Sequence, residues 1–332
     1  MKKLLYFIIC IPALLWLTSC DVHELPKAPE YVKLRLQLNY ETYMTIWENP
    51  YDETSVINKE PTRTYDNQQK SGKIRYIVRT YPVLNGERAQ QEYSQEFIFT
   101  KDIAEGYNHE MTLNIRPGNY DIKVWSDLVS EEEDSYYYDA KNFAEVRLQG
   151  EYEGSTNYRD SFYGNSSLSL YPNKNERHCD TVNITMKRPL AKFEIIANDL
   201  SDFIAQKTDD IDQIKARILY VGFMPDAYSL FTHRPVDSKM GVIFDSPLKV
   251  LPRSRASLCF DYVFVNENVS TVMIKIGIYD KDGTLLSMTE NIKVPLKLSH
   301  HTILTGDYLM QNASGDIKIN PDYDGNYNLI LP

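Results

Sequence analysis

In the stretch YVKLRLQLNY, Val32, Leu34, Leu36 and Leu38 alternate with Lys33, Arg35 and Gln37. A period of two puts the two sets on opposite faces of an extended backbone, so the segment is predicted to be a half-buried strand. The pattern recurs along the chain: Ile74 to Val83, Ser94 to Ile103, Met111 to Ile115, Tyr120 to Val124, Asn142 to Gln149, Ser166 to Tyr171 and Asp180 to Leu190. It starts over after Arg188-Pro189 with Ala191 to Asp199 and Ala216 to Met224, then with MGVIFD, ASLCFDYVFV, TVMIKIGIYD, TLLSMTENIKV, HHTILTGDYL and GDIKI. Turn residues separate the runs. Asn85-Gly86 suits a tight hairpin, Pro117-Gly118 suits the middle of a type II turn that reverses the chain, and Asp282-Gly283 makes a further hairpin. The apolar YMTIW after the first strand leads into a polar stretch, Glu48 to Gly72, that reads as a loop with room for one short strand. Only LSDFIAQ, Leu200 to Gln206, reads as helix. About seven short strands on each side of Pro189 indicate an all-β chain of two tandem β-sandwiches.

The first nineteen residues have the order of a secretory signal: basic Lys2 and Lys3, an apolar run from Leu4 to Leu17 too short for a stable span, then small residues. Leu17-Thr18-Ser19-Cys20 resembles the bacterial lipobox, in which the signal is removed before the cysteine and that cysteine is acylated. Each buried acyl CH₂ contributes roughly 0.8 kcal/mol, so several chains hold a folded domain on a bilayer without a spanning helix. The expected organisation is a signal peptide at 1–19, a lipidated tether at 20–30 containing Pro26 and Pro29, an N-terminal sandwich at 31–188 and a C-terminal sandwich at 189–332.

The formal charge is −10, and −12 once Lys2 and Lys3 leave with the signal. An acidic chain without a clustered basic stripe argues against nucleic acid or anionic membrane surfaces as partners. Of the four cysteines, Cys179 and Cys259 remain in the folded part, either paired or as two separate thiols. No catalytic, cofactor or metal motif emerges. GNSSL at Gly164 lacks the second glycine of a nucleophile elbow, and YDKDG and DYDGN start like calcium loops without reaching the far glutamate. His300 and His301 are adjacent and so point to opposite faces of a strand. The acidic run Ser130 to Asp139 reads as a solvated loop. Tyr136, Tyr137, Tyr138, Tyr152 and Tyr158 lie in polar surroundings, where they either pack over a sandwich end or stack on sugars.

The lipobox with Cys20-Asp21, the strand VKLRLQL, the segment PGNYDIKVWSD and the junction RPLAKFEII together resemble the Bacteroidales fimbrial lipoproteins. Within these, the chain is most similar to the minor fimbrial anchor subunits of type V pili. The resemblance implies two transthyretin-like Greek-key sandwiches joined near Arg188-Pro189, outer-membrane attachment through acylated Cys20 and display on the cell surface. It also implies assembly with other fimbrial subunits by strand exchange, adhesion to host or bacterial surface ligands, and no enzymatic activity or cofactor. Structural subunits of that family lose an N-terminal strand by cleavage after an arginine or lysine, whereas anchor subunits keep their lipid. Arg63 is the candidate processing site, and retention of the first strand fits an anchor. The C-terminal NYNLILP reads equally as a donor strand or as the closing strand of the second sandwich. The rival reading is a surface glycan-binding lipoprotein using its loop tyrosines. Replacing Cys20→Ala is expected to move the protein from the membrane to the soluble fraction; membrane retention of that variant would refute the anchor.

Overall fold

The computed structural model describes residues 31–50, 58–63, 72–84, 86–88, 92–129, 137–171, 179–207 and 210–311. The tether, Cys20, Tyr136 and the C-terminal NYNLILP lie outside the described residues. The N-terminal half contains β1 (Val32–Tyr40), β2 (Tyr43–Glu48), β3 (Asn58–Arg63), β4 (Lys73–Leu84), β5 (Glu87–Arg88) and β6 (Gln95–Asp102). It continues with β7 (His109–Ile115), β8 (Gly118–Val129), β9 (Tyr138–Asp139), β10 (Val146–Leu148), β11 (Ser161–Leu170) and β12 (Cys179–Met186). The C-terminal half adds β13 (Leu190–Ala197), the short helix α1 (Leu200–Gln206), β14 (Lys215–Tyr220), β15 (Phe223–Ser229), β16 (Arg234–Met240) and β17 (Ile243–Pro247). The last strands are β18 (Lys249–Leu251), β19 (Arg255–Phe264), β20 (Ser270–Tyr279), β21 (Leu285–Met288), β22 (Ile292–Leu296) and β23 (His300–Gly306). The chain is all-β and built of stacked sheets, as its alternation predicts.

The first core lies between the sheet β12-β1-β7 and the sheet β11-β8-β4-β6. Strand β1 occupies the middle of the smaller sheet, antiparallel to β7 and parallel to β12 over most of its length. Leu34, Leu36 and Leu38 are 0%, 0% and 1% exposed, while Lys33 and Arg35 face out. They pack with Met111, Leu113, Ile122, Val124 and Ile184 from the surrounding strands. The second core lies between the sheet β18-β19-β13-β23-β2-β3 and the sheet β17-β14-β20, on whose free side β21 and β22 pair in succession. Its centre includes Phe193, Ile195, Ile218, Phe244, Leu258 and Ile276, with Leu200 and Phe203 of α1 packed in.

Two expectations about turns are refined. Leu84 pairs with Glu87 around Gly86, whose φ of 82° is the positive backbone angle that a tight hairpin requires. The Pro117-Gly118 turn, by contrast, closes no ladder: β7 pairs with β1, whereas β8 pairs with β4 and β11. It carries the chain from one sheet of the sandwich to the other. The expected strand Asn142 to Gln149 is short for a local reason. The Asn142 side chain accepts from the Ala144 N–H at 2.9 Å, and its carbonyl accepts from Glu145 at 3.1 Å, so a turn occupies the first half of the segment.

Strands from both sides of Pro189 share sheets. β2 runs parallel to β23 and antiparallel to β3, which places residues just after the first strand in a sheet of the second core. β10 pairs with β15, giving a fifth sheet of order β16-β15-β10-β9. That sheet helps to cover the outer face of β4 and β8, where Ile77, Tyr81 and Trp125 join Tyr138, Phe143 and Tyr228 in a third apolar cluster. Replacing Leu36→Ala is expected to lower stability by about 2–5 kcal/mol in denaturant unfolding, whereas Lys33→Ala stays within about 0.5 kcal/mol of the parent.

Candidate functional site

Between Cys20, the expected acylation site, and Arg63, the candidate processing site, the described part of the chain leads directly into the junction of the two cores. β1 runs from Val32, opposite Ile115, to Tyr40, opposite Met186. The chain then turns at Glu41, whose N–H donates to the Met186 carbonyl at 3.0 Å, and becomes β2. Beside it, β12 makes the same passage into β13. The two covalent crossings lie next to each other because β1 and β12 are parallel neighbours. Arg63 is the last residue of β3, and its backbone is paired opposite Tyr43. The expected loop therefore contains a strand that ends at the candidate processing residue.

Arg188 binds the two crossings together. Its side chain is 0% exposed, and its guanidinium grips Asp160 through Nε and Nη2, each at 2.7 Å. Nη1 donates to the Glu41 carbonyl at 3.2 Å, which is the backbone of the β1-to-β2 crossing. The guanidinium also lies 4.6 Å from the Phe162 ring centre. Only the planar fork of arginine meets a carboxylate with two parallel bonds while a third donor reaches sideways.

A second buried pair joins residues from opposite sides of Pro189. Arg159 follows β10 in sequence and donates to Asp261 on β19 at 2.9 Å, with its guanidinium 4.1 Å from the Tyr152 ring centre. Asp261 also accepts from Tyr152 at 2.5 Å, from Tyr220 at 2.7 Å and from the Tyr262 N–H at 2.8 Å. Burial pushes the Asp261 carboxyl above its ordinary value, and Arg159 pulls it back. Burial likewise lifts the phenols of Tyr152 and Tyr220, which keeps them as neutral donors. The third pair, Arg75 with Asp127, is covered by Tyr138, whose carbonyl accepts from Arg75 at 3.1 Å; Trp125 donates to Asp127 at 3.1 Å. Each carboxylate is occupied by donors, so the arrangement holds geometry and offers no exposed nucleophile or base.

The tyrosines mostly pack. Tyr138 is buried and donates to the Arg159 carbonyl at 2.5 Å, Tyr152 belongs to the Asp261 cluster, and Tyr137 stacks on Tyr158 at 6.2 Å with an interplanar angle of 3°. His300 and His301 face opposite ways: His301 meets Glu194 at 3.4 Å, and His300 contacts the Leu298 carbonyl at 2.8 Å. Among the described residues, no group of three or more His, Cys, Asp or Glu side chains is placed to hold a metal ion. Cys179 on β12 and Cys259 on β19 are free thiols. Gly164 lies within β11, where an added Cβ would come 2.5 Å from Ile184 and 2.9 Å from the Thr185 carbonyl, so glycine there permits the close approach of β12. The Asp280 side chain accepts from Asp282 and Thr284 N–H groups at 2.9 and 2.7 Å, and Gly283 has φ of 82°, so YDKDG is a turn held by its own aspartate.

The sequence did not single out Arg75, Arg159, Asp160, Asp261 or Arg188 as partners. The available signal was charge within otherwise apolar alternation, as in Arg75 and Arg79 of IRYIVRTYPV, which usually marks a solvent face.

Fold and site together define an all-β protein with two sandwich cores clamped by buried ion pairs. The chain belongs to a family described as a family of unknown function (DUF6562), which matches residues 29–332. No curated protein matches it. Among solved structures, it is similar to the fimbrial anchor protein Mfa2 from Porphyromonas gingivalis, with 12% identity, coverage of 77% of this chain and 82% of that one, and a TM-score of 0.38. It is similar to a candidate adhesin from Bacteroides ovatus, with 13% identity, coverage of 82% and 80%, and a TM-score of 0.42. A candidate cell adhesion protein from Bacteroides eggerthii is similar at 12% identity, coverage of 86% and 90%, and a TM-score of 0.42.

Replacing Arg188→Met strands the Asp160 carboxylate in the interior and is expected to cost about 3–5 kcal/mol in denaturant unfolding. Adding Asp160→Leu removes the stranded charge and is expected to recover part of that loss.

Proposed function

We propose that this chain is a non-enzymatic subunit of a cell-surface fimbrium, held to the outer membrane by acylated Cys20 and supporting adhesion through its contacts with other fimbrial subunits. In this reading the two sandwiches meet near Arg188-Pro189, and the N-terminal sandwich is on the tethered side. The observation that supports an anchoring role is the central place of β1 in its own sheet, with pairing on both edges and Leu34, Leu36 and Leu38 in the core.

A subunit processed after Arg63 would lose β1, β2 and β3 together. It would expose a groove lined by Met111, Leu113, Ile122 and Ile184, and would empty one edge of the second core's sheet as well. A neighbour's donated strand would have to replace both losses. A subunit that keeps the segment keeps its lipid with it, and its contribution to the polymer is to hold one end at the cell surface.

The test is the N-terminus of the mature protein recovered from cells, determined by mass spectrometry, with cross-linking of intact cells alongside. The expected result is an acylated N-terminal Cys20 and cross-links to other fimbrial subunits. A mature chain beginning at Thr64 would overturn the anchoring role, and cross-links or co-purification confined to polysaccharide would favour the glycan-binding alternative.

A further inference from the structure

The end of the N-terminal half at which the chain enters has an unusual surface. Register places Tyr31, the Pro117-Gly118 turn, the end of β11 and the β4–β5 hairpin at one pole: Val32 pairs with Ile115, Gly118 with Leu170, and Pro82 with Tyr120. Tyr31 is 54% exposed, Leu84 65% and Tyr171 71%, and Tyr93, near the start of β6, is 44% exposed. Among the described residues, Tyr43 and Ile98 are the other exposed large apolar side chains of this half, and they lie away from the pole. Apolar side chains spread singly over a surface need no explanation, but several at one pole, three of them tyrosines, do.

The position of the pole says what covers it. Tyr31 lies only eleven residues after Cys20, a distance of roughly 40 Å at full extension. Whatever surface holds Cys20 therefore has this end of the sandwich as its nearest folded neighbour. The far end of β1, by contrast, faces the junction and the second core. Tyrosine suits the headgroup layer of a bilayer, because its ring lies among the upper acyl carbons while its hydroxyl stays in water.

We propose that this pole docks on the lipid bilayer, with Tyr31, Leu84 and Tyr171 seated at the headgroup level. The tether then acts as more than a leash: it holds the pole at a high local concentration next to the bilayer, so a weak interfacial contact suffices to set the orientation of the molecule. The inference rests on acylation of Cys20 only for what brings the pole to the membrane.

The experiment removes that dependence. The mature chain carries a hexahistidine tag in place of its lipid and is bound to vesicles that contain a nickel-chelating lipid and lipids brominated near the head of the acyl chain. The bulk lipid is zwitterionic phosphatidylethanolamine–phosphatidylcholine, because the chain is acidic. Tryptophan is introduced singly as Leu84→Trp, Tyr171→Trp or, as a control, Val250→Trp. Val250 is an exposed residue on β18 opposite Ala256, at the end of the second core away from the junction. The signal of the parent, from Trp47 and Trp125, is subtracted. Bromine quenching at positions 84 and 171 is expected to exceed that at 250 by about twofold or more, as for aromatic rings at the headgroup level. Equal quenching at all three positions overturns the proposal. So does a concentration-dependent shift of the position-171 emission without lipid, which would make a second copy the occupant. Failure of the Cys20→Ala fractionation with positive quenching here would refute the lipid anchor and leave the docking pole standing.

Discussion

A strand with hydrogen-bonded partners on both edges and one wholly apolar face cannot leave without undoing everything around it. β1 is such a strand. Its three leucines and Val32 each contribute about 1.5–3 kcal/mol by burial. Its removal would also strip β7 and β12 of their shared neighbour and break their ladders. Because β1 lies parallel to β12, both chain crossings into the second core leave from the same place. The relative placement of the two cores follows from that one pairing.

Buried ion pairs complete the junction. Replacing such a pair by apolar residues of the same shape is often neutral in stability, so a count of pairs says little about overall stability. Their effect here is directional. The Arg188 fork meets Asp160 with two bonds and the Glu41 carbonyl with a third, so it ties the segment before β11 and the β1-to-β2 crossing to the end of β12. The Asp261 cluster applies the same constraint between the 152–159 segment and β19. Load applied between the first strand and the second core would pass through this junction.

The outer face of β4 and β8 carries Arg75, Arg79, Asp121, Lys123 and Asp127, all buried. The sheet formed by β9, β10, β15 and β16 lies over this side, and Lys123 donates to the Leu230 carbonyl just beyond β15 at 3.0 Å. A charged face of this kind is stable under cover only because each group has a partner.

Local pattern was sufficient to read many of the strands, the hairpin at Gly86 and the helix at Leu200–Gln206, because each depends on residues within a few positions of one another. It did not separate Ala216 to Met224 into β14 and β15, which join different sheets, nor mark β16. The inward face of β1 could likewise be read directly, since its leucines alternate with charged residues. Which strands pair, and which polar faces are covered, could not be read locally. Arg75 and Asp127 are 52 residues apart in sequence, and Arg159 and Asp261 are 102 apart, so nothing near either member announces the other. The same holds for β2, whose residues look like the continuation of the first sandwich until β23 provides the edge they join. The sequence by itself determined an all-β chain whose first strand has one apolar face. Only the tertiary structure decided that this strand lies at the centre of its sheet, because pairing on two edges is a property of neighbours far away in the chain.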